Sequence, residues 1–340
     1  MKRPAPRVVA LLAIVAVVLT GAITYGVVSF RGQAGATAEP PPTSAELAAV
    51  LAVPHVVFRS TATDAEYGTV AVVPLDDLAG PRAYTGVLCD RVAATGDMVS
   101  CLRTVPGVAT RYEAELYDAA TWQSVQSWPL PGIPSRTRLS PDGSHVATTA
   151  FVTGHSYAST GFSTQTIVHD LGTEAAIDLE DLTFVVDGAR IAPVDRNFWG
   201  VTFVDGTTFY ATAQSQALGH TWLVRGDLAG GTLTTVFDGG ACPSLSPDRT
   251  RLAFKTQTSD EPVHWTPSVL DLATGEVTVL SGETRSYDDQ IIWLDDDTIA
   301  YGIPRQDEPG VTDVWSLDVT PDAAPQLFLD HAWSPQVVRR

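Results

Sequence analysis

Three features of this sequence predict an all-β chain folded as a six-bladed β-propeller of four-stranded antiparallel blades, preceded by one N-terminal transmembrane helix. The first is a phrase that returns with variations: LSPDGSHVATT at 139–149, FVDGTTFYA at 203–211, LSPDRTRLAF at 245–254 and LDDDTIAYG at 294–302. Each is an Asp-centred turn feeding a short strand. Asp hydrogen-bonds the turn backbone, Gly tolerates positive φ, and the β-branched, aromatic and small residues that follow suit a pleated strand. The second feature is a count. Six strands of this kind, beginning near His55, Met98, His145, Thr207, Arg251 and Thr298, are each followed by a partner strand ending in an acidic or glycine turn. A unit recurring every ~40–60 residues marks a repeat architecture, in which no unit buries both faces alone. The third is an uncharged run at 8–30, long enough to span a bilayer as a helix.

The partner strands lie in GTVAVVPLDD (68–77), YEAELYDAAT (112–121), TQTIVHDLGT (164–173), TWLVRGDLAG (221–230), WTPSVLDLAT (265–274) and TDVWSLDVTP (312–321). A further strand usually follows, as in SVQSWPL (124–130), TLTTVF (232–237), EVTVLS (276–281) and PQLFLD (325–330). With the strand before each Asp turn, every unit holds four, the content of a propeller blade. The first unit lacks its innermost strand. HAWSPQVV (331–338) is expected to supply it, so that the C terminus closes the ring and covers an edge that would otherwise stay open. VVDGAR (185–190) reads as an extra hairpin with an Asp-Gly turn, expected to overhang one rim of the ring.

Asp turns of the SPDG kind on six blades resemble the TolB-like propeller with its WD40-like (PD40) repeats. Residues 139–146 and 245–254 carry the resemblance best, and it covers roughly residues 53–340. GHSYASTGFST, TWLVRGDL, DDQIIWLDDDT and GVTDVWS further resemble membrane-anchored TolB-like proteins of high-GC Gram-positive bacteria. TolB itself carries a separate N-terminal α/β domain, for which residues 31–52 are too short. The expected organisation is therefore a basic cytoplasmic segment (1–7), a transmembrane anchor or uncleaved signal (8–30), a flexible linker (31–52) and the propeller (53–340). Lys2, Arg3 and Arg7 precede the span, which orients the propeller outside the cytoplasmic membrane. Cleavage at Ala36-Thr37-Ala38 would instead make the protein secreted.

A formal charge of −18 argues against nucleic acid and anionic membrane surfaces as partners. Cys89 and Cys101 flank a hairpin turn, and Cys101 falls near the cross-strand partner of Cys89. A local disulfide is expected there, compatible with an extracytoplasmic site. Cys242 is left over, and a bond from it to Cys89 would cross the axis, because blades two and five are opposite. The Cys and His spacings suggest no zinc, and no cofactor is expected.

Gly154-His155-Ser156-Tyr157-Ala158 nearly spells a serine-hydrolase elbow, but no helix follows it, and the segment reads as a loop between blade strands. No catalytic residue is expected. Acidic runs at 76–77 and 295–297 lack the calcium-loop ladder and read as solvated turns. The residues at the entrances of the inner strands are richer: Asp90, Arg91, Arg136, Arg138, Arg196, Trp199, Asp288, Asp289, His331 and Trp333. Together with His155, Tyr157, His220 and His264 they make a rim suited to a polar ligand or peptide, since Trp and Arg dominate binding hot spots. The expected function is a membrane-anchored binding or scaffold module of the cell envelope with a protein or peptide partner. The alternative is a hydrolase or lyase acting in the axial funnel on an exported glycan, lactone or peptide. A His with two carboxylates on the axis favours the enzyme; axial Arg–Asp pairs favour the binding module.

Overall fold

The computed structural model describes residues 45–152, 163–173, 175–260 and 263–339. Six sheets each contain four strands in radial order, one with two additional strands. Blade one contains β1 (His55–Ser60), β2 (Thr69–Pro74) and β3 (Ala83–Leu88). Blade two contains β4 (Arg91–Ala94), β5 (Met98–Val105), β6 (Arg111–Asp118) and β7 (Ser124–Leu130). Blade three contains β8 (Ile133–Leu139), β9 (His145–Phe151), β10 (Thr164–Asp170) and β11 (Ala176–Asp178). The hairpin β12 (Thr183–Val186) and β13 (Ala189–Ile191) precedes blade four, which is formed by β14 (Asn197–Phe203), β15 (Thr208–Ser215), β16 (His220–Asp227) and β17 (Thr232–Asp238). Blade five contains β18 (Ala241–Leu245), β19 (Arg251–Asp260), β20 (Val263–Asp271) and β21 (Val277–Val279). Blade six contains β22 (Ile292–Trp293), β23 (Thr298–Pro304), β24 (Thr312–Asp318) and β25 (Gln326–Leu329). The last strand, β26 (Ala332–Val338), pairs antiparallel with β1 and completes blade one, as expected.

The repeated phrase works as turn chemistry. Asp142 accepts from Ser140 Oγ (2.6 Å), Ser144 N (3.1 Å) and Ser144 Oγ (2.8 Å), while Ser140 Oγ accepts from His145 N (2.9 Å). Asp248 repeats the pattern with Ser246 and Thr250. Each turn thus satisfies backbone donors that the strands leave open.

The core lies between blades. Side chains alternate across each strand, so Val70 and Val72 enter the seam with blade two while Ala71 and Val73 enter the seam with blade six. Both faces of such strands are dry, which explains their near-continuous apolar character. The other seams are made the same way, for example by Phe184, Phe198 and Trp222 near blade four and by Tyr287, Tyr301 and Trp293 between blades five and six.

Two expectations change. The end of the segment read as a linker is helix α1 (Ala45–Leu51), whose Leu47 and Leu51 are buried against Val70, Val72 and Ala83. The apolar edge of blade one gives this short Ala-rich stretch a surface to fold on. The 183–191 hairpin does not overhang the axial rim. β12 pairs in parallel with β17, the outermost strand of blade four, and so extends that blade at its periphery. Asp187 (φ 49°) and Gly188 (φ 78°) form its left-handed turn. The expected anchor at 8–30 lies outside the described residues. Among those residues no helix is long and apolar enough to cross a membrane.

Candidate functional site: the charged axial mouth

The innermost strands β26, β4, β8, β14, β18 and β22 line the axis. Four of them are bulged, with register shifts at Pro134/Arg136, Trp199/Thr202, Ala241/Ser244 and opposite Val57/Arg59. Gly200, Cys242 and Ser334 take left-handed backbone at three of these bulges (φ 67°, 56° and 53°). A bulge re-aims the side chains beside it, and strained non-glycine backbone of this kind concentrates at functional sites.

Side chains from five blades meet here. Arg91 at the start of β4 pairs with Asp289 (3.2 Å) and lies over the Trp333 ring of β26 (4.7 Å). Arg136 of β8 pairs with Asp288 (3.2 Å), and Lys255 of β19 contacts the same Asp288 oxygen. Lys255 also lies over Trp265 (4.9 Å). Asp289 is wholly buried and accepts from Gly302 N (3.0 Å). Two residues further along β8, Arg138 donates to Gln336 Oε1 (3.3 Å) and the Ile291 carbonyl (3.1 Å). With its amide oxygen turned to that guanidinium, Gln290 accepts from Nη2 (2.6 Å) and Nε (2.8 Å).

The electrostatics follow from crowding. Burial and the neighbouring Arg136 bring Arg91 down to about 10 despite Asp289. Burial brings Arg138 down to about 10 as well, with Asp289 opposing. For Asp288, whose side chain is open to solvent at the tip but surrounded by the walls of the ring, desolvation works to raise the pKa, but Lys255 and Arg136 outweigh it and bring it to about 2. Asp288 is therefore a carboxylate at any physiological pH. Among the described residues, no three His, Cys, Asp or Glu side chains gather at metal-ligating distance.

The other rim candidates lie apart from this network, except Trp199, which packs against the Trp265 that Lys255 covers. Arg196 donates to the Glu180 and Pro193 carbonyls and ties down the connection between blades three and four. Trp199 is buried with Ala241, Cys242 and Trp265. His220 is exposed, stacks on Trp222 (5.3 Å) and lies 3.2 Å from Asp238. His264 sits at the edge of blade five, where its carbonyl accepts from Thr258 Oγ1 (3.4 Å). His331 meets Asp330 (2.9 Å), and its backbone N–H donates to Asp313 (2.9 Å). Asp90 accepts from the Thr104 N–H and hydroxyl, each at 2.6 Å. His155 and Tyr157 lie outside the described residues. The Cys89–Cys101 disulfide is present on blade two with a Cα–Cα distance of 5.5 Å, and Cys242 is free and buried.

Sequence reasoning missed Lys255, Tyr287 and Gln290 as members of the mouth. One signal was available. Lys255 is one of only two lysines in the chain and sits in the apolar strand RLAFKT. A lysine at such a place needs a buried partner.

A closed ring of six four-stranded blades around a paired, charged axis defines the class: in fold this is a TolB-like six-bladed β-propeller. The chain is similar to TolB from Acinetobacter baumannii, with a TM-score of 0.59 and 19% identity over 84% of this chain and 67% of that one. It is also similar to a putative TolB from Agrobacterium tumefaciens, with a TM-score of 0.49 and 11% identity over 82% and 88% of the two chains. No family model matches the sequence, and no curated protein matches it. At these identities the likeness is one of fold, and function must be argued from the site.

Proposed function

We propose that this protein is a binding or scaffold module of the cell envelope, anchored in the cytoplasmic membrane by residues 8–30, that takes a protein or peptide partner at its axial mouth. The observation that carries this reading is the mouth itself. Arg91, Arg136 and Lys255 are ion-paired with Asp289 and Asp288, and two of these cations stack on tryptophans, Arg91 on Trp333 and Lys255 on Trp265. Acid–base catalysis needs a carboxyl or imidazole left free to move a proton. Here Asp289 is buried against Arg91, and Asp288 is shared by two cations. Tryptophan and arginine side by side are the groups that dominate recognition of a peptide.

The Cys89–Cys101 disulfide, the charge-free span and the basic segment before it support the location. The experiment is a capture. A photo-crosslinking residue replaces Ser286, which is exposed and two residues from Asp288. Irradiation in envelope membranes should trap one partner, and Trp333→Leu should reduce the yield several-fold. Undiminished yield in Trp333→Leu would take the tryptophan out of the interface.

A further inference from the structure

We propose that Arg136 and Lys255 form a carboxylate-binding site, which Asp288 of the same chain occupies until the carboxylate of a ligand takes its place. The proposal deepens the binding-module reading by naming the chemistry of the ligand, and it rests on that reading.

Four observations carry it. First, the charges do not balance. Arg91, Arg136, Arg138 and Lys255 converge on the axis, while the carboxylates meeting them are Asp288 and Asp289. In a protein of net charge −18 this is a local cationic excess. Among the described residues, Arg138 hydrogen-bonds to neutral acceptors, Gln336, Gln290 and the Ile291 carbonyl, and Asp289 acts on it only at longer range. Cations removed from water without counter-charge are costly, and an anion entering the mouth relieves that cost.

Second, exposure is lopsided. The side chains of Arg136 and Lys255 are 8% and 5% exposed, whereas that of Asp288 is 72% exposed. The carboxylate lies on the open side of two buried cations, so another carboxylate can approach the same place from the channel. Asp289 differs: it is wholly buried and held by Arg91 and Gly302 N, as a structural counter-ion should be.

Third, two donors are idle. Among the described residues, Arg136 Nε and the Tyr287 hydroxyl are buried and find no hydrogen-bond partner. Tyr287 is 2% exposed and Arg136 7%. The Arg136 guanidinium interacts with Cys242 as well as Asp288, and the Tyr287 hydroxyl lies within electrostatic range of the same two groups. A buried donor without a partner costs roughly 1–3 kcal/mol, so it calls for an explanation. A ligand carboxylate has two oxygens and lone pairs enough to take a charge-assisted bond from the guanidinium and a second from the phenol.

Fourth, the placement of Asp288 allows exchange. It sits in the irregular segment before β22 rather than in a strand, and Arg136 holds it through its carbonyl (3.4 Å) as well as its carboxylate. The side chain can leave while the backbone stays.

Two sources supply such a carboxylate: an acidic side chain of a partner peptide, or a small free organic acid. The full chain in detergent is titrated calorimetrically with acetyl-Gly-Asp-Gly amide and, separately, with succinate. Ionic strength is held constant with chloride, and inorganic phosphate is titrated in parallel. Saturable binding of either carboxylate probe is expected, tightened about tenfold in Asp288→Asn because the internal competitor is removed. Tighter binding of the peptide identifies a partner's acidic side chain as the source; tighter binding of succinate identifies a free acid. Lys255→Met should weaken the tighter probe about tenfold. Tyr287→Phe removes only a hydroxyl that has no hydrogen-bond partner among the described residues, so it should leave the melting temperature unchanged or higher and still weaken binding several-fold.

The proposal is overturned if neither probe saturates even in Asp288→Asn, if Asp288→Asn leaves the affinity unchanged, or if phosphate binds as tightly as the carboxylates. Crosslinking at Ser286 separates the two readings. A partner trapped there with undiminished yield in the presence of a saturating probe keeps the binding module and discards the carboxylate site as its contact. Probe binding without any trapped partner keeps the site and discards the protein-binding module.

Discussion

At the scale of single residues, the stability of this protein should depend on pH through His169. The imidazole is buried and stacked on Trp128 at 4.4 Å, and burial lowers its pKa to about 4. The folded state therefore binds its proton more weakly than the unfolded chain does, near 6.5. Stability is fully present above pH 6.5 and falls as pH drops towards 4, by on the order of 3 kcal/mol from this group. Urea titrations at pH 7 and pH 4.5 should show this loss, and His169→Phe, which keeps the stack, should remove most of it. Gly302 makes a second residue-scale case. A Cβ there would lie 2.6 Å from Trp333 Cε3 and 2.7 Å from Asp289 Oδ2. Gly302→Ala should cost about 1–3 kcal/mol by overpacking. It should also weaken partner capture at the mouth, because it pushes on two members of the site at once.

At the scale of elements, the Asp turns and the closing strand carry the fold. Asp142→Ala removes three hydrogen bonds from one turn and should destabilise by about 1–2 kcal/mol, with no effect on ligand binding, since the turn lies past the end of β8 and Asp142 bonds only within it. Removing residues 331–340 leaves β1 without its inner partner and exposes Val56 and Val57 at a bare edge. Loss of the cooperative melting transition, with aggregation, is the expected outcome. The disulfide closes a short loop within blade two, and Cys89→Ser with Cys101→Ser should cost about 2–3 kcal/mol in a denaturant titration.

These elements also show what could be read from the sequence. The Asp turns, six strand pairs, closing strand and disulfide were legible because each is a local pattern or a consequence of counting repeats. Helix α1 was not, because seven Ala-rich residues show too little periodicity to stand out from a linker. The position of the 183–191 hairpin was not legible either. Its Asp-Gly turn is local, but its parallel pairing with β17 joins segments about fifty residues apart, and nothing in either segment encodes the other.

At the scale of the whole molecule, the same division governs the site. Arg91, Asp288, Asp289 and Trp333 were legible as residues near strand entrances, yet their pairing was not. Arg136 and Asp288 are 152 residues apart, and Arg91 and Asp289 are 198 apart. Ring closure brings them together, so the site is a property of the completed propeller. A variant that opens the ring should lose ligand and partner binding together with its melting transition. The propeller has two axial faces, one carrying the charged mouth and the other the repeated Asp turns, and recognition belongs to the first. The most direct test compares them. Photo-crosslinking residues are placed at Ser286 on the mouth and at Thr250 in an Asp turn, and the full chain is irradiated in envelope membranes. A discrete adduct is expected from position 286 and none from position 250. Adducts of equal yield from both positions, or from position 250 alone, would contradict this assignment.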